Sequence, residues 1–298
     1  MTQLLNALPG ALAQGLIWGV MAIGVYITYK VLDIADLTVD GSICTGAAVC
    51  TMLLLGGQSP WLALLCAVLA GVLAGAVTGL LHVGLGIPPI LAGILTQMVL
   101  WSVNLKLLGK ANQALPARTT PVLLSQMDVG GALPVLLGFC VVLVALLVLF
   151  FGTELGCALR ATGCNPVMSR AQGVNTGLMK VVGLALSNGV VALSGALLCQ
   201  YQGYTDVNMG RGAVVIGLAA VVIGQAVLGR RGGRMAVQLG GVILGAVIYY
   251  IVYQVIIFAG FDTDLLKMFS AVVVAVFLGA PHVKAQLKAH SRSKKGDS

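Results

Sequence analysis

The sequence has very little charge for its length. Of its 298 residues, 9% are Asp, Glu, Lys or Arg and 59% are hydrophobic, whereas a soluble globular protein carries roughly 25% charged residues. So few polar groups cannot cover a surface that faces water, which excludes an ordinary soluble domain. A membrane-spanning helix needs about 20 apolar residues, so the sequence predicts an all-α polytopic membrane protein with about eight to ten spanning helices.

The patterns of an enzyme are also missing. There is no G-x-x-x-x-G-K-[ST] motif to hold a nucleotide phosphate. Paired carboxylates, a serine–histidine arrangement and a tight cysteine or histidine cluster are likewise absent from the sequence. We therefore predict a protein without catalytic residues, which binds neither a metal nor another cofactor itself.

The positive charge is gathered in a few polar connections. The formal net charge is +8, but its basic residues lie at the ends of apolar runs rather than on one folded face, so we expect contact with membrane lipid and not with nucleic acid. Most of them fall in three segments, 152–180, 229–234 and 281–298. The positive-inside rule places these segments in the cytoplasm. The outside then receives segments 110–132, 200–211 and 259–265.

Apolar runs predict nine spans, as helices, because lipid offers no partner for an unpaired backbone group. They cover residues 11–29, 41–55, 61–85, 89–109, 133–151, 178–199, 212–228, 235–258 and 266–280. Nine spans place the N-terminus outside and residues 30–40 inside. The second run is short enough to be broken or re-entrant. Residues 281–298 are predicted to form a basic cytoplasmic tail.

The cytoplasmic segment 152–178 is more ordered than a simple connector. A helix is predicted to begin at Glu154, to end at Gly163, and to be followed by a second short helix that Asn165 and Pro166 start. One face of the first helix is apolar and consists of Leu155, Ala158, Leu159 and Thr162.

The second short helix contains Arg170 and is expected to stop at Gly173, after which Asn175 caps the next span. An amphipathic connector at the membrane surface is one interpretation of this pattern. A rigid docking element for a cytoplasmic partner is the other.

Three sequence stretches resemble one family, the ATP-binding-cassette importer permeases of the branched-chain amino acid and ribose type. The first stretch is Ala158-Leu159-Arg160-Ala161-Thr162-Gly163-x-Asn165-Pro166 followed by Gly173-Val174-Asn175. The other two are Leu37-Thr38-Val39-Asp40-Gly41-Ser42 and Gly86-Ile87-Pro88-Pro89-Ile90-Leu91-Ala92-Gly93-Ile94. Two positions depart from the family pattern: Asp40 stands between valine and glycine, and Gly93 stands where threonine is usual.

The resemblance implies a type II importer permease domain over residues 1–280, with 152–178 as its coupling loop. Its expected partners are two copies of an ATPase subunit, which bind the ATP and magnesium, and a periplasmic or lipid-anchored solute-binding protein. The chain is most similar to poorly characterised members encoded as a single permease, of the amino acid or tryptophan type, which implies a homodimer in the bacterial inner membrane. The coupling residues expected from the resemblance are Glu154, Leu155, Ala158, Leu159, Arg160, Ala161, Thr162, Gly163, Asn165, Pro166, Arg170, Gly173 and Asn175.

Polar residues inside the spans are the candidates for a solute pathway, because such residues tend to face a cavity or another helix. They are Asp40, Ser42, Pro88, Pro89, Thr96, Gln97, Trp101, Asn104, Asn188 and Gln225. Gln97, Trp101 and Asn104 share one helical face, which suits a small polar solute. The alternatives are interhelical hydrogen bonding for this face, helix capping at the membrane edge for Asp40 and Ser42, and a simple helix start at the two prolines.

The predicted function is therefore the pathway subunit of an importer for a small polar solute. An amino acid is the preferred substrate, and Trp101 favours an aromatic one. The alternative is a secondary transporter or channel that works without ATP. Such a transporter is expected to carry ionisable residues inside its spans, and the apolar runs here contain almost none.

Overall fold

The computed structural model describes residues 2–116, 120–228 and 234–258, together with positions 268, 272 and 275. Within this part of the chain there are ten α-helices and one antiparallel ribbon. The helices are α1 (Thr2–Tyr26), α2 (Val39–Leu55), α3 (Pro60–Gly84), α4 (Pro89–Leu108), α5 (Val129–Gly152), α6 (Glu154–Cys164), α7 (Pro166–Ala171), α8 (Thr176–Gln202), α9 (Ala213–Leu228) and α10 (Met235–Phe258). The strands are β1 (Asn112–Ala114) and β2 (Tyr204–Asp206).

Six of these helices are long and apolar enough to cross a membrane: α1 with the π-helical turn that extends it to Val31, α3, α4, α5, α8 and α10. The apolar helices α2 and α9 are shorter, with 17 and 16 residues. All eight coincide with predicted apolar runs, which confirms the all-α polytopic fold. The ninth run, 266–280, and the tail 281–298 lie outside the described residues apart from isolated positions.

The bundle is built around α1 and α8, the two most deeply buried of the long helices. Glycines let neighbouring helices approach them closely. At Gly71 and Gly75 of α3, a Cβ atom would overlap the α8 backbone at Asn188 and Leu184. Small residues commonly serve this purpose between membrane helices, where packing rather than the hydrophobic effect holds helices together.

The two ends of the chain repeat one arrangement in opposite directions. Each half contains a long helix, a non-helical segment that turns back into the bundle, a short helix and another long helix. In the first half these are α1, residues 32–38, α2 and α3; in the second half they are α8, residues 203–212, α9 and α10. Because α1 and α8 run antiparallel, side by side, the two halves are inverted relative to each other.

One end of the bundle carries the antiparallel ribbon. Gln113 of β1 lies opposite Thr205 of β2, and the Thr205 hydroxyl is 2.6 Å from the hydroxyl of Thr51 near the end of α2. The described parts of segment 110–132 and residues 200–206 therefore lie at the same end, as the charge pattern predicts for the outside, whereas residues 207–211 turn back toward Asp40.

The opposite end carries the coupling loop. Val31 packs against Gly163 of α6, so the end of the first long helix reaches this side. The prediction that all of residues 30–40 lie inside is wrong in part. After Leu32 the chain turns back, and Asp36 and Asp40 lie halfway along the bundle because their carboxylates are bound there by other elements.

Candidate functional site

The first non-helical segment, residues 32–38, is anchored to the middle of α8. Asp33, near its start, has a φ of 56°, a left-handed conformation that aspartate tolerates better than most residues. Asp36 is buried and accepts two hydrogen bonds, from the Thr38 amide at 2.9 Å and from Asn188 Nδ2 at 2.7 Å. A buried carboxylate needs such donors, since burial without them is costly.

Hydroxyl groups extend this anchoring to three more helices. Ser42 Oγ donates a hydrogen bond to Asn188 Oδ1 at 2.6 Å. The Thr38 hydroxyl lies 2.8 Å from that of Thr78, which donates to the Thr96 hydroxyl at 2.9 Å. Ser42, Thr96 and Asn188 thus take part in interhelical hydrogen bonding. Their role in a solute pathway stays a prediction.

Asp40 lies where the two non-helical segments meet. Its carboxylate accepts hydrogen bonds from the Gly212 and Val214 amides, each at 3.0 Å, and so caps the start of α9. Asp40 also belongs to the first turn of α2. The positive ends of the α2 and α9 dipoles therefore both face the Asp40 carboxylate. A negative charge is stabilised at a helix N-terminus. A Cβ at Gly210 would overlap the Asp40 carbonyl oxygen, so this close approach requires glycine.

Beside this meeting point is a cavity of about 460 Å³ between α2, α4 and the second segment. Its wall consists of Asp40, Gly41, Cys44, Gln97, Met98, Trp101, Ser102, Asn104, Val207 and Arg211. Four predicted pathway residues, Asp40, Gln97, Trp101 and Asn104, are brought together here. The volume falls in the range of small-molecule sites.

Asn104 is the unusual member of this wall. Its side chain is 0% exposed, and neither its amide nitrogen nor its amide oxygen has a hydrogen-bond partner in the described part of the chain. Most buried polar groups in proteins are paired, and an unpaired one calls for an explanation such as a ligand. Trp101, one turn away, is 44% exposed, and its indole nitrogen donates to Asn208 Oδ1 at 3.4 Å.

Three other predicted pathway residues lie elsewhere. Pro88 precedes the first turn of α4 and Pro89 is its first residue, so both serve to start the helix. Gln225 is exposed near the far end of α9. Gly93 packs beneath the first segment, where a Cβ would come within 2.9 Å of the Leu37 amide nitrogen. This close packing is a physical reason for glycine at this position.

Sequence reasoning missed six members of the cavity wall: Gly41, Cys44, Met98, Ser102, Val207 and Arg211. Arg211 was assigned to an external loop, because its segment is polar and follows the end of a span. The signal that it returns into the bundle is the pair of flanking glycines, Gly210 and Gly212. The first allows the close contact with α2, and the second has a φ of 87°, which is favourable only for glycine.

The coupling loop forms the two short helices that its sequence predicts. Thr153 accepts a hydrogen bond from the Gly156 amide, and Asn165 Oδ1 accepts from the Val167 and Met168 amides. Asn175 Oδ1 caps α8 by accepting from the Leu178 amide at 3.1 Å. Gly173 follows α7 with a φ of 83°.

Arg170 of α7 connects the residues on either side of Gly173, since its Nε donates a hydrogen bond to the Thr176 hydroxyl of α8 at 2.8 Å. Capping residues therefore fix the position of both short helices.

Two details of this loop differ from the prediction. Gly163 does not end α6, which continues to Cys164; it lies inside the helix, where a Cβ would overlap the Val31 carbonyl oxygen. The buried face is also displaced from the predicted one. Leu159 and Thr162 are buried as expected and Ala158 partly so, but Leu155 is 55% exposed. Gly156 is buried in its place, because α6 packs against the end of α5 there.

The exposed side of the loop combines basic and apolar residues. Arg160, Ala161 and Pro166 are exposed, as are the large side chains of Val167 and Met168. Between α6 and α7 is an apolar depression of about 240 Å³. The exposed surface thus has the character of a protein contact site rather than of a purely solvated face.

Comparison with known proteins places the chain in a group of transport proteins. Residues 8–280 match the family described as branched-chain amino acid transport system, permease component. A tyrosine transport system permease protein of Clostridioides difficile (strain R20291) is 37% identical over 287 residues, which cover 95% of this chain and 94% of that protein. An uncharacterized protein of Rickettsia prowazekii (strain Madrid E) is 33% identical over 279 residues, covering 93% of this chain and 98% of that protein.

A more distant relative is the autoinducer 2 import system permease protein LsrC of Escherichia coli (strain K12 / DH10B). It is 29% identical over 216 residues, which cover 69% of this chain and 60% of that protein. No solved structure matches the chain. The family match spans both non-helical segments, the cavity and the coupling loop, and with the six spanning helices it identifies a multi-pass protein of the bacterial inner membrane. The chain belongs to the branched-chain amino acid permease family and is a type II permease of the ATP-binding-cassette class.

Proposed function

We propose that this permease forms the pathway of an importer for an amino acid, preferably an aromatic one, and that a separate ATPase drives the transport. The observation that carries this proposal is the pair α6 and α7, two capped short helices whose outer sides are exposed at the end of the bundle with the basic connections. Rigid, exposed helices are suited to receive force from a partner.

The preference for an aromatic amino acid has two supports. A relative that is 37% identical over nearly the whole chain is named a tyrosine transport permease. The cavity also contains Trp101, whose ring is half exposed and available for stacking. A cavity of about 460 Å³ is large enough for a single amino acid.

The ATPase partner is expected as two copies that carry ATP and magnesium, since this sequence has no phosphate-binding loop. The loop residues that would contact it are those with exposed side chains, above all Leu155, Arg160, Val167 and Met168. That this chain binds no cofactor itself stays a prediction.

A second copy of the permease is expected on the face of α4. Trp101, Ser102 and Arg211 are exposed there, halfway along the bundle. An arginine facing hydrocarbon at this depth would cost several kcal/mol, about 2.5 to 3.5 on insertion scales. A partner subunit that encloses a water-filled pathway removes that cost, and a homodimer is the simplest such arrangement. A solute-binding protein would deliver the amino acid at the end with the β1–β2 ribbon.

Reconstitution tests the proposal. Vesicles that contain the permease, its ATPase and its binding protein should take up radiolabelled tyrosine only when ATP is present on the ATPase side. Uptake driven by an ion gradient without ATP would instead support a secondary transporter. Uptake of sugars but of no amino acid would overturn the substrate assignment.

A native cysteine tests the docking surface separately. Cys157 on α6 is exposed, and Cys164→Ser leaves it as the accessible thiol of this loop. A membrane-impermeant maleimide should label Cys157 from the cytoplasmic side, and bound ATPase should reduce the labelling rate at least tenfold. Equal labelling with and without ATPase would contradict docking at α6.

A further inference from the structure

We infer that the cavity beside Asp40 is a solute site within the permease itself, and that it is built for an amino acid with a hydroxylated aromatic side chain. This inference rests on the proposed function, since it names the chemistry of the solute that the pathway carries. Its argument comes from three features of the cavity: the charge at one end, the indole along its wall and the unpaired amide of Asn104.

Charge at the Asp40 end favours a carboxylate. Each helix N-terminus contributes roughly half a positive charge, so the starts of α2 and α9 together offset the negative charge of Asp40. Arg211 forms no ion pair within the described part of the chain. The two carboxylates in its surroundings, Asp40 and Asp206, accept hydrogen bonds from backbone amides instead, so the guanidinium has no ionic counterpart. The carboxylate of an amino acid supplies that counterpart, and guanidinium groups bind carboxylates with two parallel hydrogen bonds.

Asn104 lies farther along the same wall. Gln97, whose backbone packs against Gly41 of α2, marks the level of the charged end. Asn104 follows seven residues later on α4, which is about 10 Å along a helix at about 1.5 Å per residue. Trp101 lies between them, so an aromatic ring extending from the charged end would pass beside its indole.

The chemistry of the unpaired amide matches a hydroxyl group. An asparagine amide offers both a donor and an acceptor, and a phenolic hydroxyl requires both. Neither amide atom of Asn104 has a partner in the described residues, and both are buried beneath the cavity wall, so the Asn104 side chain must rotate to meet a solute. Leaving the amide buried and unpaired destabilises the protein. The free energy lost by leaving the amide unpaired in the empty site is expected to be regained when a bound solute pairs with it. Discrimination is strong in such sites, because a solute without the hydroxyl leaves the amide unpaired.

The test compares Asn104→Leu with wild type in the reconstituted importer, with the binding protein saturated by tyrosine or by phenylalanine. In wild type the initial uptake rate of tyrosine should exceed that of phenylalanine. The variant should lower the ratio of the two rates at least tenfold, while its thermal unfolding midpoint is equal to or above that of wild type, because an apolar side chain replaces an unpaired amide. Gln225→Leu, an exposed amide on α9 that lies outside the cavity wall, is the matched control and should change neither quantity.

Arg211 provides a second measurement. Arg211→Gln should lower uptake of both amino acids at least tenfold, and Arg211→Lys should retain more activity than Arg211→Gln because it keeps the charge. An unchanged tyrosine-to-phenylalanine ratio in Asn104→Leu would overturn the inference, as would a lower unfolding midpoint with equal loss for both amino acids. Absence of ATP-dependent amino acid uptake in wild type would overturn the proposed function instead, so the two failures are distinguishable.

Discussion

The two non-helical segments interrupt equivalent places in the inverted halves, but they are held in different ways. Residues 32–38 are fixed by buried side chains: the Asp36 carboxylate, the Asn188 amide and the threonine hydroxyls. Residues 203–212 are fixed mainly through their backbone: by the β1–β2 pairing and by amides that donate to the Asp40 carboxylate and to Cys44 Sγ, with one buried hydroxyl contact, between Thr205 and Thr51. The first segment contains no glycine, whereas the second contains Gly203, Gly210 and Gly212.

The two segments also start at opposite ends of the bundle. The first segment starts at Val31 and Leu32, which pack against Gly163 and Gly183 next to the coupling loop. The second starts at the ribbon on the opposite end. Both lead to Asp40 and the cavity. The difference indicates that the first segment is a stiff connection between the coupling loop and the cavity. The second segment, on the side of the ribbon, is expected to deform more easily than the first.

Breaking the stiff connection at its start should have the largest effect. In Gly163→Leu the added side chain overlaps the Val31 carbonyl oxygen, and such overpacking costs about 1 to 3 kcal/mol or more. ATP hydrolysis should persist while tyrosine uptake falls to background, as measured in reconstituted vesicles. Gly152→Ala, where a Cβ meets nothing within 4 Å, is the control, and a fully coupled Gly163→Leu protein would contradict the stiff connection.

Removing the middle anchor should cost nearly as much. Asn188→Leu leaves the Asp36 carboxylate without its side-chain donor and Ser42 without its acceptor. Unpaired buried groups cost about 1 to 3 kcal/mol each, and more when charged, so we expect a loss of about 3 kcal/mol in a denaturation measurement. If the hydrogen bond is responsible, the double variant Asp36→Leu/Asn188→Leu will be more stable than Asn188→Leu alone.

Removing the carboxylate that anchors the second segment should destabilise the protein less than removing the anchor of the first. Asp40→Ala removes the cap of α9, which costs about 1 kcal/mol for a typical N-cap. Asp40→Asn should recover only part of that loss, because the Gly212 and Val214 amides donate to different oxygens of Asp40 and asparagine keeps only one of them. Thermal unfolding of the three proteins checks this order. A cost for Asp40→Ala above that of Asn188→Leu would reverse the comparison between the two segments.

The smallest effect concerns the unmodified protein. Backbone amides of residues 207–212 should exchange with deuterium faster than those of residues 34–38, because fewer buried side chains hold the second segment. Mass spectrometry of the protein in lipid nanodiscs measures both sets. Slower exchange in 207–212 would show that the ribbon, and not the buried polar side chains, is the stronger restraint.

Local chemistry made the coupling loop predictable. Thr153, Asn165 and Asn175 act as caps through contacts with residues two or three positions away, so the sequence contains the whole interaction. Gly163 shows the limit of this reasoning. Its local pattern predicts a helix end, but its actual neighbour is Val31, more than a hundred residues distant.

The pathway candidates were only partly predictable for the same reason. Helical spacing placed Gln97, Trp101 and Asn104 on one face, and that face does line the cavity. Spacing along the chain does not predict that Asn188 donates a hydrogen bond to Asp36, nor that Arg211 lies in the middle of the bundle. Polar residues in a span reveal that they need partners, but not which partners they find.

By itself, the sequence determined a polytopic helical membrane protein and the capped helices of its coupling loop. Low charge, apolar runs and short-range hydrogen bonds are properties of neighbouring residues. Only the tertiary structure decided that two chain segments far apart in sequence return to the middle of the bundle and that Asp40 joins the starts of α2 and α9. That meeting depends on close contacts between distant backbones, such as Gly210 on Asp40, which no periodicity along the chain records.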